Sequence, residues 1–172
     1  MASTQKQNFY AEVDARWRLW ETAISMSINP SLLEIHQDAE TKNLYVIEEF
    51  RRKNITSARS ALNGYQKGKC FYCQRDITIE SGKENTCDVD HFFPHMLQKV
   101  HKINHLDKVW NLVLSCRYCN RGSDGKFETI PDEKFLALLE RRNDWFIESH
   151  HPLRQTIINQ TGSTPAQRRN FL

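Results

Sequence analysis

Two cysteine pairs with the same internal spacing, Cys70-Phe-Tyr-Cys73 and Cys116-Arg-Tyr-Cys119, lie 42 residues apart in a chain of 172. Each Cys-x-x-Cys turn offers two thiolates, and two such turns supply the four soft ligands that a tetrahedral zinc ion takes in a closed structural site. With all four positions filled by protein there is no place for a substrate water, so this metal should staple the fold rather than perform chemistry. The competing use of a Cys-x-x-Cys, thiol redox chemistry, explains one pair but not the pairing of two. The fifth cysteine, Cys87, stands outside both pairs and reads as a core thiol.

Between the pairs runs CDVDHFFPH, and WNLVLSCRYCNRG carries the chain into and past the second pair. Asp90-His91, Asn111 in the middle of Trp-Asn-Leu, and Asn120 directly after Cys119 resemble the HNH endonuclease family. That family has a ββα-metal core with Asp-His on the first strand, an Asn on the second, and a closing His or Asn on the helix. The resemblance covers residues 68 to 127 and extends to the zinc knuckles that frame the core in many members. Flanking stretches from VDARWRLWETA to IESHHPLRQT are similar to an uncharacterised bacterial group of HNH proteins, a likeness that names no substrate. The HNH resemblance implies His91 as general base, Asp90 and Asn120 as ligands of one catalytic divalent ion, and Asn111 as a brace for the loop between strands. Asn120 stands where many members have His, which favours Mg²⁺ or Mn²⁺ over softer ions. RNA-guided nucleases with an HNH domain carry a similar Asp-Val-Asp-His and Asn-Arg-Gly.

Elementary chemistry asks for the same residue types. Phosphodiester hydrolysis needs a nucleophilic water, neutralisation of the phosphate and stabilisation of the leaving 3′ oxygen, and one hard cation serves the last two. A carboxylate and an amide oxygen make a minimal ligand set for Mg²⁺, which keeps several waters. An imidazole with an ordinary pKa near ~6.5 accepts a proton at neutral pH. Neighbours on a strand point to opposite faces, so Asp90 and His91 share a site only at a strand end or twist, with which Pro94 is compatible. His95 is either a neighbour of that site or a surface histidine. His101, His105, His150 and His151 have no partner legible in the sequence.

The elements that must hold these residues form an α+β chain: a zinc-stapled ββα-metal core flanked by an N-terminal helix and hairpin and by C-terminal helices. Residues 1–66 make the N-terminal scaffold, 67–127 the core and 128–172 the helical segment of a single domain. Val13, Trp17, Trp20 and Ile24 recur at four, three and four, predicting a helix over Phe9 to Ile28 with that face buried, stopped by Asn29-Pro30. LLEIHQD and LYVIEEF flank AETKN as a hairpin. Thr56 or Ser57 caps a short helix leading to Cys70. Beyond the core, Phe135, Leu138, Leu139, Arg142, Trp145 and Phe146 mark a helical stripe after Pro131. A second helix covers PLRQTIINQ and closes at Gly162, and a third starts at Thr164-Pro165. Apolar Phe171 and Leu172 at the end, and the opening MAS, read as a piece cut from a longer protein.

Composition limits the partners. The chain has 24 Lys+Arg against 21 Asp+Glu and a mean hydropathy of −0.67. No apolar run approaches ~18 residues and no secretory signal opens the chain, so a cytoplasmic protein with no membrane partner is expected. Net charge of +3 says little, but Arg51 to Arg75 holds seven basic residues and no acid. That strip is either a nucleic-acid contact or a solvated face. Lys67 and Lys69, at its end, and Arg121 and Lys126, after Asn120, are candidate phosphate contacts, with solvated helix ends as the alternative for the last two. The expectation is a metal-dependent endonuclease for double-stranded DNA. Its rivals are a non-catalytic zinc-stabilised nucleic-acid-binding module and a nuclease for RNA or single strands. A carboxylate beside phosphate speaks against the binding module, since it repels the ligand unless a cation lies between. One HNH site cuts one strand, so double-strand cleavage requires a homodimer or two events, and the sequence does not decide between them.

Overall fold

A computed structural model describes residues 2–26, 34–38, 40–48, 51–97, 106–126 and 129–172, with backbone alone for 2–3, 25, 48 and 51–56. Asn29-Pro30, His101, His105 and the side chains of Arg51, Arg52 and Lys53 lie outside these. The fold is α+β, as expected. Helix α1 (Ala2–Ser25) precedes strands β1 (His36–Gln37), β2 (Asn43–Glu48) and β3 (Arg51–Ser57), which form an antiparallel sheet in that order. Helix α2 (Ala58–Gln66) follows, then β4 (Asp88–His91), a 3-10 turn (Val109–Asn111) and β5 (Leu112–Ser115), with β4 and β5 paired antiparallel. Helices α3 (Arg117–Arg121), α4 (Lys134–Glu148), α5 (Arg154–Thr161) and α6 (Pro165–Phe171) complete the order. Among the described residues no helix is long and apolar enough to cross a membrane.

The hairpin forms where AETKN was placed, with His36 opposite Tyr45 and Gln37 opposite Leu44. β2 alternates, burying Leu44 and Val46 and exposing Ile47. The basic stretch RRKNITS is strand β3, pairing Lys53 with Val46 and Ser57 with Asn43. Ser57 then caps α2, its hydroxyl accepting from Arg59 N at 3.2 Å. At the other end Thr164 and Gln167 make a reciprocal capping box on α6 with Pro165 in the first turn.

α1 buries the face opposite to the one its large side chains predict. Val13, Trp17, Trp20 and Ile24 remain 46, 62, 44 and 66% exposed, while Ala15, Leu19 and Ala23 are fully buried. The reason lies in how closely α1 approaches α2 and β3. Small residues permit that approach, and Ala58 and Ala61 of α2 join Leu19 and Ala23 in one core. The polar residues on the same face are satisfied: Asn8 donates to Ile77 O and accepts from Ile79 N, both at 3.3 Å. Glu12 receives Lys67 Nζ at 2.8 Å and Arg16 Nε at 2.9 Å. A periodicity count that scores bulk assigns this helix the wrong side.

β5 is buried on both faces. Leu112 and Leu114 belong to the core shared with α1, α2 and the sheet, and Val113 faces a second cluster with Phe71, Phe92, Trp110 and Leu139. That explains a strand that reads as a continuous apolar run rather than an alternation. Arg142 of α4, counted in the helical stripe, is 1% exposed. Its guanidinium donates to the carbonyls of Val109 and Leu112 and to Asn143 Oδ1. It thereby ties α4 to the start of β5, and burial lowers its pKa to about 9.

Candidate active site and cysteine cluster

α2 delivers the chain to the first cysteine pair and anchors it to β5. Gln66 Oε1 accepts from Leu114 N at 2.7 Å while its Nε2 donates to Leu114 O at 2.7 Å and Lys69 O at 2.8 Å, so one side-chain amide acts as a strand partner. Phe71 N extends the contact to Leu114 O at 2.9 Å. The Cys70–Cys73 turn is closed by Gln74 N to Cys70 O at 3.0 Å and by Gln74 at a φ of 60°. The second turn caps α3, with Cys116 Sγ accepting from Cys119 N at 3.4 Å. Cys116 N in turn points at Cys70 Sγ at 3.3 Å.

The four sulfurs lie within 4.8 Å of one another, positioned to hold a metal ion. Cys73 Sγ and Cys116 Sγ are 3.7 Å apart. A Zn–S bond of ~2.3 Å in a tetrahedron requires sulfurs about 3.8 Å apart, so the cluster is compatible with structural zinc. Backbone N–H groups aimed at sulfur favour thiolates as ligands. Cys87 is fully buried, and burial pushes its thiol up to about 12. That is the inert core thiol its isolation in sequence predicts.

β4 and β5 bring the remaining residues together. Asp88 and Asp90, two apart on β4, share one face, with Val89 turned to the core. His91 ends the strand, the chain bends at Phe92 and Phe93, and the result is a cleft of about 220 Å³ lined by Asp90, His91, Asn120 and cations. Asn111 holds that bend. Its Oδ1 accepts from Phe93 N at 2.8 Å, and its Nδ2 donates to Phe93 O at 2.9 Å and Leu106 O at 2.6 Å. The fully buried amide therefore braces the loop after β4 by bonding backbone on both sides.

Asp90 is buried, which raises its pKa, and its carboxylate accepts from Tyr72 Oη at 2.8 Å and pairs with Lys126 Nζ at 3.2 Å. Lys126 also donates to His91 O at 2.7 Å. Its ammonium is almost completely enclosed and sits where an electrostatic partner of Asp90 belongs. The turn that returns Lys126 is tight, since a Cβ on Gly125 lies 2.9 Å from Asn120 O. Asn120 is buried and donates Nδ2 to Asp88 Oδ2 at 3.0 Å, which fixes the orientation of its amide. Arg121 forks onto Asp88, Nε at 2.9 Å and Nη2 at 3.3 Å.

Burial, reinforced by Lys42, His95 and Lys126, lowers the His91 pKa to about 4, so the imidazole is neutral at pH 7. Among the described residues its buried Nε2 has no hydrogen-bond partner. His95 stands at the rim with its ring 5.9 Å from that of His91. His151 is elsewhere. It is buried against Phe146, accepts from Leu153 N at Nδ1, and is pushed down to about 3 by burial.

Lys67 and Lys69 do not reach the cleft: the first pairs with Glu12 beside the Trp145 ring, the second with Asp76 at 2.6 Å. Three residues of the site escaped sequence reasoning. Asp88 carried a signal, the Asp-x-Asp spacing that puts two carboxylates on one strand face. Tyr72 sits inside the first cysteine turn and carried none. Lys42 comes from the β1–β2 turn, where Asp38 Oδ1 accepts from Glu40 N and Thr41 N, and Lys42 adopts a φ of 58°. Its half-buried ammonium lines the cleft with no ion pair among the described residues, and burial and Arg121 lower its pKa. The chain matches no protein-family model, no curated protein and no solved structure.

Proposed function

We propose that the chain is a metal-dependent endonuclease of the HNH type that hydrolyses phosphodiester bonds of double-stranded DNA. One observation carries the reading: His91, whose imidazole burial keeps neutral at pH 7, lines a cleft together with a buried carboxylate, Asp90, and three cations, Lys42, Arg121 and Lys126. His91 takes the proton of the attacking water. Lys42 and Arg121 hold the phosphate, and Asn111 fixes the bend that presents His91 beside Asp90. Asp90 and the amide oxygen of Asn120 are hard oxygen donors that suit Mg²⁺ or Mn²⁺, and the ammonium of Lys126 against Asp90 is a cation of this chain at that place. When bound, the divalent ion supplies charge neutralisation on the phosphate and stabilises the leaving 3′ oxygen. Products carry a 5′ phosphate and a 3′ hydroxyl. Zinc on Cys70, Cys73, Cys116 and Cys119 holds the two strands and α3 in register.

A second reading, the non-catalytic nucleic-acid-binding module, is favoured by the same Lys126, which already neutralises Asp90 without any added ion. Nicking of supercoiled plasmid by the purified chain separates the two. With Mg²⁺ or Mn²⁺ the endonuclease nicks, EDTA stops it and His91→Ala does not cut. The binding module retains the plasmid uncut under every condition, and cleavage of RNA or single strands alone shifts the substrate class.

A further inference from the structure

The outward face of α1 is a heptad seam. Tyr10, Val13, Trp17, Trp20 and Ile24 recur at three, four, three and four, the a/d spacing by which one helix packs along another. All five are solvent-exposed, as is Phe9 beside them. Aromatic side chains carry ~150–250 Å² each, so these six offer on the order of 600 Å² of contiguous apolar surface. That is the upper end of what a monomer exposes and approaches the roughly 800 Å² that each partner contributes to a standard interface. Function does not absorb this face, because the cleft lies on β4, β5 and α3.

We propose that α1 pairs with α1 of a second copy of this chain, seam to seam and parallel, about a twofold axis. A straight seam of a/d type is complementary to another of its kind, and such a surface on a single chain makes an isologous dimer. Area supports a second copy, since two such faces together bury about 1,200 Å², the lower end of the standard interface size. Charge selects the orientation. Asp14, paired with Arg18 at 2.7 Å, and Glu21, which accepts from Trp17 Nε1 at 2.6 Å, flank the seam on one edge, and Arg16, held on Glu12 at 2.9 Å and over the Trp145 ring, marks the other. Parallel pairing sets Arg16 toward Glu21 of the second copy, whereas antiparallel pairing sets acid against acid. The face that joins the body, Ala15, Leu19 and Ala23, lies roughly 140° around the helix from the seam, at 3.6 residues per turn, so the seam points away from the body.

The pairing stands apart from the endonuclease reading, and its test measures mass. Sedimentation velocity of the full chain with zinc, from about 1 to about 100 µM, gives a dimer for the wild type. Trp17→Glu combined with Trp20→Glu gives a monomer of unchanged far-ultraviolet circular dichroism and zinc content, its dissociation constant raised at least ~100-fold. Val13→Lys, a second exposed site, weakens the dimer in the same direction. A wild type that stays monomeric throughout the range overturns the proposal, as does a dimer that survives these substitutions.

Discussion

Asn111→Asp is the substitution that tests most sharply how the candidate site is held. It changes one atom in a fully buried amide and keeps the acceptor for Phe93 N. The two donors from Nδ2, at 2.9 Å to Phe93 O and 2.6 Å to Leu106 O, disappear. An ionised carboxylate there faces two carbonyl oxygens, and a protonated one restores a single donor. Each buried carbonyl left without a donor costs ~1–3 kcal/mol, so the expected loss for the two is about 2–6 kcal/mol. For a domain of this size each kcal/mol moves Tm by roughly 2–4 °C, giving a fall of at least about 4 °C and up to roughly 24 °C. The sign of the pH dependence follows. The buried carboxyl has a folded pKa above its unfolded ~3.9, so the variant's deficit is smallest below about pH 4 and grows as pH rises. Thermal unfolding by circular dichroism at pH 4 and 7 reads the loss, and hydrogen exchange at the Phe93 amide reads the loop. A Tm within about 2 °C of wild type at pH 7, with Phe93 equally protected, refutes the brace.

Further outcomes follow from other parts of the molecule. Cys116→Ser removes one of four clustered sulfurs, and we expect about one zinc per chain in the wild type to be lost together with cooperative folding, measured by elemental analysis and circular dichroism. Lys42→Ala removes from the cleft a cation with no ion pair among the described residues, and the slope of log affinity for duplex DNA against log salt should shrink by about 0.9, with the fold intact. His151 is held at about 3 in the folded chain against ~6.5 unfolded, so the unfolded chain takes up its proton first. The stability this gives is present above about pH 6.5 and lost as pH falls toward 3, about 2 kcal/mol by pH 5. In urea unfolding, His151→Phe should lose less stability than the wild type between pH 7 and 5.

Much of the scaffold was legible because its signals are local. The paired Cys-x-x-Cys turns, the Ser57 and Thr164 caps and the Gly162 stop depend on short-range geometry and stand where the sequence put them. Asn111 was readable as a brace, though its partners, Phe93 and Leu106, were not. α1 misleads because bulk is not burial: close helix packing buries alanines together with a satisfied Asn8 and Glu12 instead. β3 hid because RRKNITS has no apolar alternation, its strand character coming from pairing with β2. Lys42 reaches the cleft from 46 residues before Asp88, through a turn conformation that no motif spacing encodes. Lys67 and Lys69 lie away from the cleft, paired with Glu12 and Asp76, acids that only folding brings near.

His91, beside Asp90 in this cleft, is proposed to activate water against a phosphodiester. The most direct measurement of this step is the rate of nicking of supercoiled DNA in Mg²⁺ or Mn²⁺ by the wild type and by His91→Ala, each matched for zinc content and circular dichroism. Metal-dependent nicking is expected to fall by at least ~100-fold in the variant, as when a general base is removed. Nicking at equal rates by the two proteins, or none by the wild type on any DNA or RNA, contradicts it.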